Sequence, residues 1–144
     1  MAGTMNRPLL LEQLQRHEGL RLKPYLDTAE PPRQTIGYGR NLDDRGITEE
    51  EAGFMLDNDI DEVIADLERM PLYLSLDDTR QVVLANMCFN LGLTRFLEFR
   101  RMLAALADRD WDRAADEMLD SKWARQVGDR ADELADLMRR GEAR

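Results

Sequence analysis

The sequence predicts an α+β fold, mostly α. A small N-terminal β-hairpin lobe and a larger helical lobe are joined by a long helix, with a cleft where the lobes meet. Three observations lead there. From Thr48 onward, apolar residues recur at helical spacing almost without a break. Between Leu22 and Leu42 the propensities turn to strand and turn, as "KPYLD", a proline-containing "TAEPPRQ" and "TIGYG". The 144 residues fit one domain, with no internal repeat and no low-complexity segment. The small lobe spans about 17–47 and the connecting helix about 48–70. The helical lobe takes 71–144 together with the N-terminal helix.

Each element has its own signal. Asn6 and Pro8 start a helix that ends at Glu18–Gly19. "TEEE" from Thr48 to Glu51 is a capping box. Ala52, Met55, Leu56, Ile60, Val63, Ile64 and Leu67 then form one stripe of a long acidic helix ending before Pro71. "SLDDTRQVVLANMCFNLG" is read as the central buried helix, capped by Ser75, apolar almost all round from Val82 to Phe89 and stopped at Gly92. "TRFLEFRRMLAALA" and "DWDRAADEML" give two amphipathic helices, the second capped by Asp110. A short turn around Trp123 precedes "DRADELADLMRR", closed by Gly141.

Composition excludes several classes. Hydrophobic residues make up 43% of the chain, an ordinary globular share. No apolar run approaches the roughly 20 residues that span a bilayer. The opening "MAGTMNRPLLLEQLQ" lacks a cleavage site, so neither a signal peptide nor a membrane anchor is expected. Cys88 is the one cysteine and sits in an apolar stretch, so an inert buried thiol is expected. With His17 the one histidine, a structural zinc site is not expected, and no metal or cofactor is called for. Net charge is −9; residues 43–78 hold 13 acidic and two basic side chains and the rest of the chain carries +2. Such a balance argues against nucleic-acid binding.

The residues that carry chemistry lie in "HEGLRLKPYLDTAEPPRQTIGYGR", His17 to Arg40. Glu18 closes a helix, where the partial negative charge of the helix end favours a protonated carboxyl, suited to a general acid. Asp27 follows a strand into a polar loop that can keep it ionised. Two carboxylates in contrasting surroundings are what glycoside hydrolysis requires. Thr35, opening the returning strand, could hold a nucleophilic water. Taken alone, each has a plain alternative: a surface glutamate, a turn-starting aspartate and a strand threonine. Spacing by itself does not make an enzyme.

At "HEGLRLKPYLD…TIGYGRNL" the sequence closely resembles the phage-type lysozymes, the endolysin muramidases of glycoside hydrolase family 24. The resemblance continues through "GITEEEAGFMLDNDID", "LDDTRQVVLANMCFNLG", "RDWDRAADEML" and "SKWARQVGDRADEL", covering essentially the whole chain. It implies a lysozyme-like fold and an inverting muramidase that cuts the β-1,4 bond between N-acetylmuramic acid and N-acetylglucosamine. By the same resemblance Glu18 is the general acid, Asp27 the carboxylate that directs water, and Thr35 the residue that positions it. Arg130 matches an arginine that pairs with the catalytic glutamate, and Phe89 and Asn90 match cleft-lining positions. Arg40 stands where many members have histidine and is read as a surface or saccharide-contacting cation; His17 is read as orienting its neighbours. Trp111 and Trp123 are expected in the core, with sugar stacking as the alternative.

Besides Arg40, the loop between Asp27 and Thr35 departs from the family pattern. "TAEPPRQ" is longer than usual, and it lacks the customary glycine. The implied partner is bacterial peptidoglycan, met by a monomer with no nucleic acid and no cofactor. The expected location is the host cytoplasm until lysis, then the periplasm and wall, with a holin-type pore giving access. A lytic transglycosylase and a catalytically weak wall-binding homologue are the competing readings.

Overall fold

The computed structural model describes residues 3–142; the outermost two residues at each end of the expected 1–144 domain lie outside the described residues. The chain divides into two compact units, Met1–Gly53 and Phe54–Arg144.

The first unit begins with α1 (Arg7–Glu18), started where the sequence places it: Asn6 Oδ1 accepts the Leu9 N–H at 3.0 Å and Pro8 lies in the first turn. β1 (Arg21–Leu26), β2 (Gln34–Gly37) and β3 (Arg40–Asn41) make one antiparallel sheet in that order. The expected hairpin gains a third strand because the chain turns at Tyr38–Gly39 and comes back, setting Thr35 opposite Asn41. Pro24 has no N–H for a ladder, and it falls in the irregular stretch of the edge strand between Arg21 and Tyr25. A short helix, α2 (Leu42–Arg45), follows directly, capped by Asn41. Among the described residues of this unit no apolar side chain is buried, and Thr35 is its one buried side chain. Hydrogen bonds and ion pairs therefore set its geometry more than a hydrophobic core does.

α3 (Glu49–Leu67) begins in the first unit and continues in the second. Its capping box is formed as expected: Glu51 N–H donates to Thr48 Oγ1 at 3.1 Å and Thr48 N–H to Glu51 Oε1 at 2.9 Å.

The second unit adds α4 (Pro71–Leu74), α5 (Asp78–Leu91), α6 (Leu93–Leu97), α7 (Arg100–Ala107), α8 (Trp111–Leu119), α9 (Lys122–Val127) and α10 (Asp129–Arg140). Its core is built from Leu67, Leu84, Met87, Phe96, Met118 and Met138 with their neighbours, all fully buried. Three details depart from expectation. Asp77, not Ser75, caps α5, accepting the Arg80 N–H at 3.2 Å, because the proline-started α4 takes the preceding residues. Ser75 instead donates to Leu72 O at 2.6 Å. α5 is buried on one face only: Val83, Leu84, Met87 and Cys88 are inside, while Val82 and Phe89 are exposed. Residues 94–107 form two helices, because the chain turns at Phe99 to set its ring edge-on to Trp123, 6.1 Å between centroids. Cys88 is buried as expected, and burial pushes its thiol up from the ordinary range.

One buried cation ties this unit together. Arg80, 7% exposed, donates from Nε to Met138 O at 2.7 Å and from Nη2 to Arg139 O at 3.0 Å. These are carbonyls at the end of α10 that the helix cannot satisfy itself. Nη1 bonds Asp77 Oδ1 at 3.0 Å, and the guanidinium lies 3.8 Å from the Trp111 ring centre. Trp111 is thus occupied by Arg80. Arg80→Ala would leave both carbonyls and the Trp111 face without their partner. It is expected to cost about 3 kcal/mol, and Arg80→Lys, lacking the fork, should recover less than half. Chemical denaturation of the three proteins measures this; a loss under about 1 kcal/mol for the alanine variant would contradict it.

Candidate active site

Glu18 is the last residue of α1. The helix stops because Gly19 takes φ 70°, a left-handed value, with its N–H bonded to Gln15 O at 3.1 Å. The Glu18 side chain is exposed, and its carboxylate reaches back across the sheet turn onto Gly39. A Cβ added at Gly39 would stand 2.9 Å from Glu18 Oε2, and Gly39 itself has φ 77°. The second glycine of "GYG" is thus required twice over, by its backbone angle and by the carboxylate above it.

Asp27 follows β1 directly and is half-buried. Its Oδ1 accepts the Ala29 N–H at 3.0 Å and the Arg33 N–H at 2.9 Å, while its own N–H donates to Arg33 O at 3.0 Å. Thr35, 3% exposed and paired with Tyr25 across the sheet, donates its hydroxyl to the same Arg33 O at 3.0 Å. The Asp27 N–H and the Thr35 hydroxyl therefore share one acceptor, Arg33 O. The long "TAEPPRQ" loop does not part them: it folds onto the Asp27 carboxylate and closes at Arg33. The threonine oxygen keeps its lone pairs for a water hydrogen.

Arg40 makes two parallel bonds to Glu51, Nη1 to Oε1 at 2.7 Å and Nη2 to Oε2 at 2.6 Å, and a third to Gly46 O at 3.2 Å. Its guanidinium fastens β3 to the first turn of α3. The Arg40 bonds, then the Thr48 N–H, hold the Glu51 carboxyl down at about 2. His17 is exposed at the end of α1.

The other expected positions lie in the second unit. Arg130 brackets Asn86 Oδ1 with Nε at 2.9 Å and Nη2 at 2.7 Å, tying α10 to α5. Arg130 and Phe89 line one cavity of about 640 Å³ with Leu56, Ile60, Val82 and Asn86. Asn90 stands apart from it: its Oδ1 accepts the Trp123 indole N–H at 2.8 Å, and Trp123 is buried.

Comparison with known proteins follows the same residues. Residues 15–144 match the phage lysozyme family. The chain belongs to the phage lysozyme family. An endolysin of Acyrthosiphon pisum secondary endosymbiont phage 1 is 33% identical over 135 residues, covering 90% of this chain and 88% of that protein. A probable T4-type lysozyme of Dictyostelium discoideum is 26% identical over 115 residues, covering 75% and 68%. The pre-baseplate central spike protein Gp5 of Enterobacteria phage T4 is 29% identical over 159 residues, which cover 92% of this chain but 28% of the spike protein's length.

For this member of the phage lysozyme family, the fold is α+β, mostly α and lysozyme-like, as the sequence predicted. Sequence reasoning passed over Arg33, which looked like loop, and Asn86, hidden in an apolar run. It also missed α2, although Asn41 followed by Asp43 and Asp44 is a helix-start signature.

Two outcomes follow from this geometry. Gly39→Ala should lower activity by roughly threefold to tenfold, because the Cβ pushes the Glu18 carboxylate aside by a few tenths of an ångström. Gly37→Ala, with nothing within 4 Å of its Cβ, separates the steric from the backbone effect. Equal activity for the position-39 variant and the parent would sink the close-contact account. For Glu51 the folded carboxyl lies below its ordinary 4.5, so the ion pair's contribution is present above pH 4.5 and lost as pH falls toward about 2. Acid unfolding of Glu51→Gln should accordingly be flatter across that window, measured by circular dichroism; identical acid profiles would contradict it.

Proposed function

We propose that this chain hydrolyses peptidoglycan, cutting the β-1,4 bond between N-acetylmuramic acid and N-acetylglucosamine with inversion of configuration. The observation that carries the reading is the Asp27–Arg33–Thr35 arrangement, together with an exposed Glu18 over Gly39 in the same unit, in a chain matched to phage lysozymes over residues 15–144. Glu18 gives its proton to the glycosidic oxygen as the C–O bond breaks. Water attacks the anomeric carbon, losing a proton to Asp27, with the Thr35 oxygen accepting its other hydrogen. Every described hydrogen bond to the Asp27 carboxylate goes to Oδ1, which leaves Oδ2 for that water. Products are a new reducing end and a free hydroxyl, and solvent exchange resets the two carboxyls.

The endolysin likeness supports release at host lysis, with the protein held in the host cytoplasm until a holin-type pore admits it to the wall. The spike-protein likeness favours a second reading, a lytic element mounted on a virion. Immunodetection on purified virions separates the two.

Chemistry is tested on purified peptidoglycan. Glu18→Gln is expected to lower kcat about a thousandfold and Asp27→Asn about a hundredfold, both folding normally. Asparagine at 27 still offers an oxygen to the Ala29 and Arg33 amides. Anhydro products from the parent chain would identify a lytic transglycosylase, and a parent chain without activity would leave only wall binding.

A further inference from the structure

We infer that Asp43 and Asp44 of α2 are positioning residues for Asp27 and Thr35, acting through the backbone of Arg33 and Gln34; this rests on the hydrolase reading above. Asp43 Oδ2 accepts the Gln34 N–H at 2.8 Å, a short charge-assisted bond. Asp44 Oδ1 accepts from Arg33 Nη1 at 3.2 Å, and its Oδ2 from Asn41 Nδ2 at 2.9 Å. Asn41 Oδ1 in turn accepts the Asp44 N–H at 3.0 Å. Asn41 pairs with Thr35 across β2 and β3, so the circuit closes: Thr35, Asn41, Asp44, Arg33 and back to Thr35 through Arg33 O.

The circuit matters because the unit around it has no buried apolar side chain among the described residues to hold the loop in place. The loop 28–33 is anchored at one end by Asp27 itself. Its other end, where Arg33 supplies the shared partner of Asp27 and Thr35, is fixed by α2. Of the two aspartates, Asp43 carries more. Both are exposed, but Asp43 holds a backbone amide one residue from Arg33 at 2.8 Å, whereas Asp44 meets only the Arg33 side chain, at 3.2 Å. A catalytic constellation tolerates only small displacements, so release of Arg33 should show in turnover rather than in substrate affinity.

The test compares Asp43→Ala, Asp43→Asn and the parent full-length chain on purified peptidoglycan, with thermal melting and amide hydrogen exchange at Arg33 and Gln34. Asp43→Ala should lower kcat about tenfold, with KM within about twofold and melting unchanged. Asp43→Asn keeps an oxygen for the Gln34 amide and should stay within about threefold of the parent. Gln34 should exchange about tenfold faster in the alanine variant. Unchanged kcat in Asp43→Ala, equal losses in both variants, or a loss that tracks melting would each overturn positioning. A parent chain without activity overturns the hydrolase reading instead. The exchange rates then decide by themselves whether Asp43 fixes the Arg33 backbone: unchanged rates overturn it and faster ones support it.

Discussion

The small unit depends on the backbone of Arg33. Its N–H donates to Asp27 and its carbonyl takes both the Asp27 N–H and the Thr35 hydroxyl. The carboxylate that follows β1 and the hydroxyl on β2 are thereby referred to the two successive peptide planes that meet at the Arg33 Cα. In a unit with its described apolar side chains outside, such a reference is what substitutes for packing. Side-chain bonds to a fixed amide restrict rotamers without needing a core, provided the amide itself is fixed. Asp43 and Asp44 of α2 meet that condition, one at the Gln34 amide and one at the Arg33 guanidinium.

The helical unit solves the opposite problem. It has a core, and its difficulty is how helices end inside one. Arg80 meets the last carbonyls of α10 with a fork of donors and lays its flat face on Trp111, so a charge is admitted to the interior fully partnered. The same two helices meet again at Arg130 and Asn86. Arg80 from α5 binds the end of α10 and Arg130 from the start of α10 binds α5, so the register of the two helices is fixed twice, and Arg130 lies on the wall of the cavity that Phe89 also lines.

Elements with periodicity or a cap were legible in the sequence. α1 with Asn6, α3 with its Thr48–Glu51 box, α8 with Asp110 and α10 with Gly141 are where reading placed them. What was not legible came from competition between neighbours. Ser75 and Asp77 both suit an N-cap, and only the presence of α4 decides for Asp77. Val82 and Phe89 are as apolar as Val83 and Leu84, so side-chain type alone could not tell the outward face of α5 from the inward one. Arg40 reads from the sequence as a surface or saccharide-contacting cation, because its partner Glu51 lies 11 residues on and by itself signals only a cap. Glu51 serves both, one oxygen of its carboxylate shared between Thr48 and Arg40.

The two carboxylates of the candidate site differ in a way that bears on their roles. Asp27 is oriented: two backbone amides hold one oxygen, and its other oxygen faces no described donor. Glu18 accepts no described hydrogen bond; it lies over the bare backbone of Gly39, which leaves it space. A base that must direct one water along one line benefits from the restraint at Asp27, since a rotated carboxylate misdirects the attack. An acid that must deliver a proton to a bound oxygen benefits from the space at Glu18, because an unpaired carboxyl remains free to meet the substrate. The glycine at 39 and the aspartate at 27 are thus complementary devices, one leaving a side chain room and the other taking its freedom away.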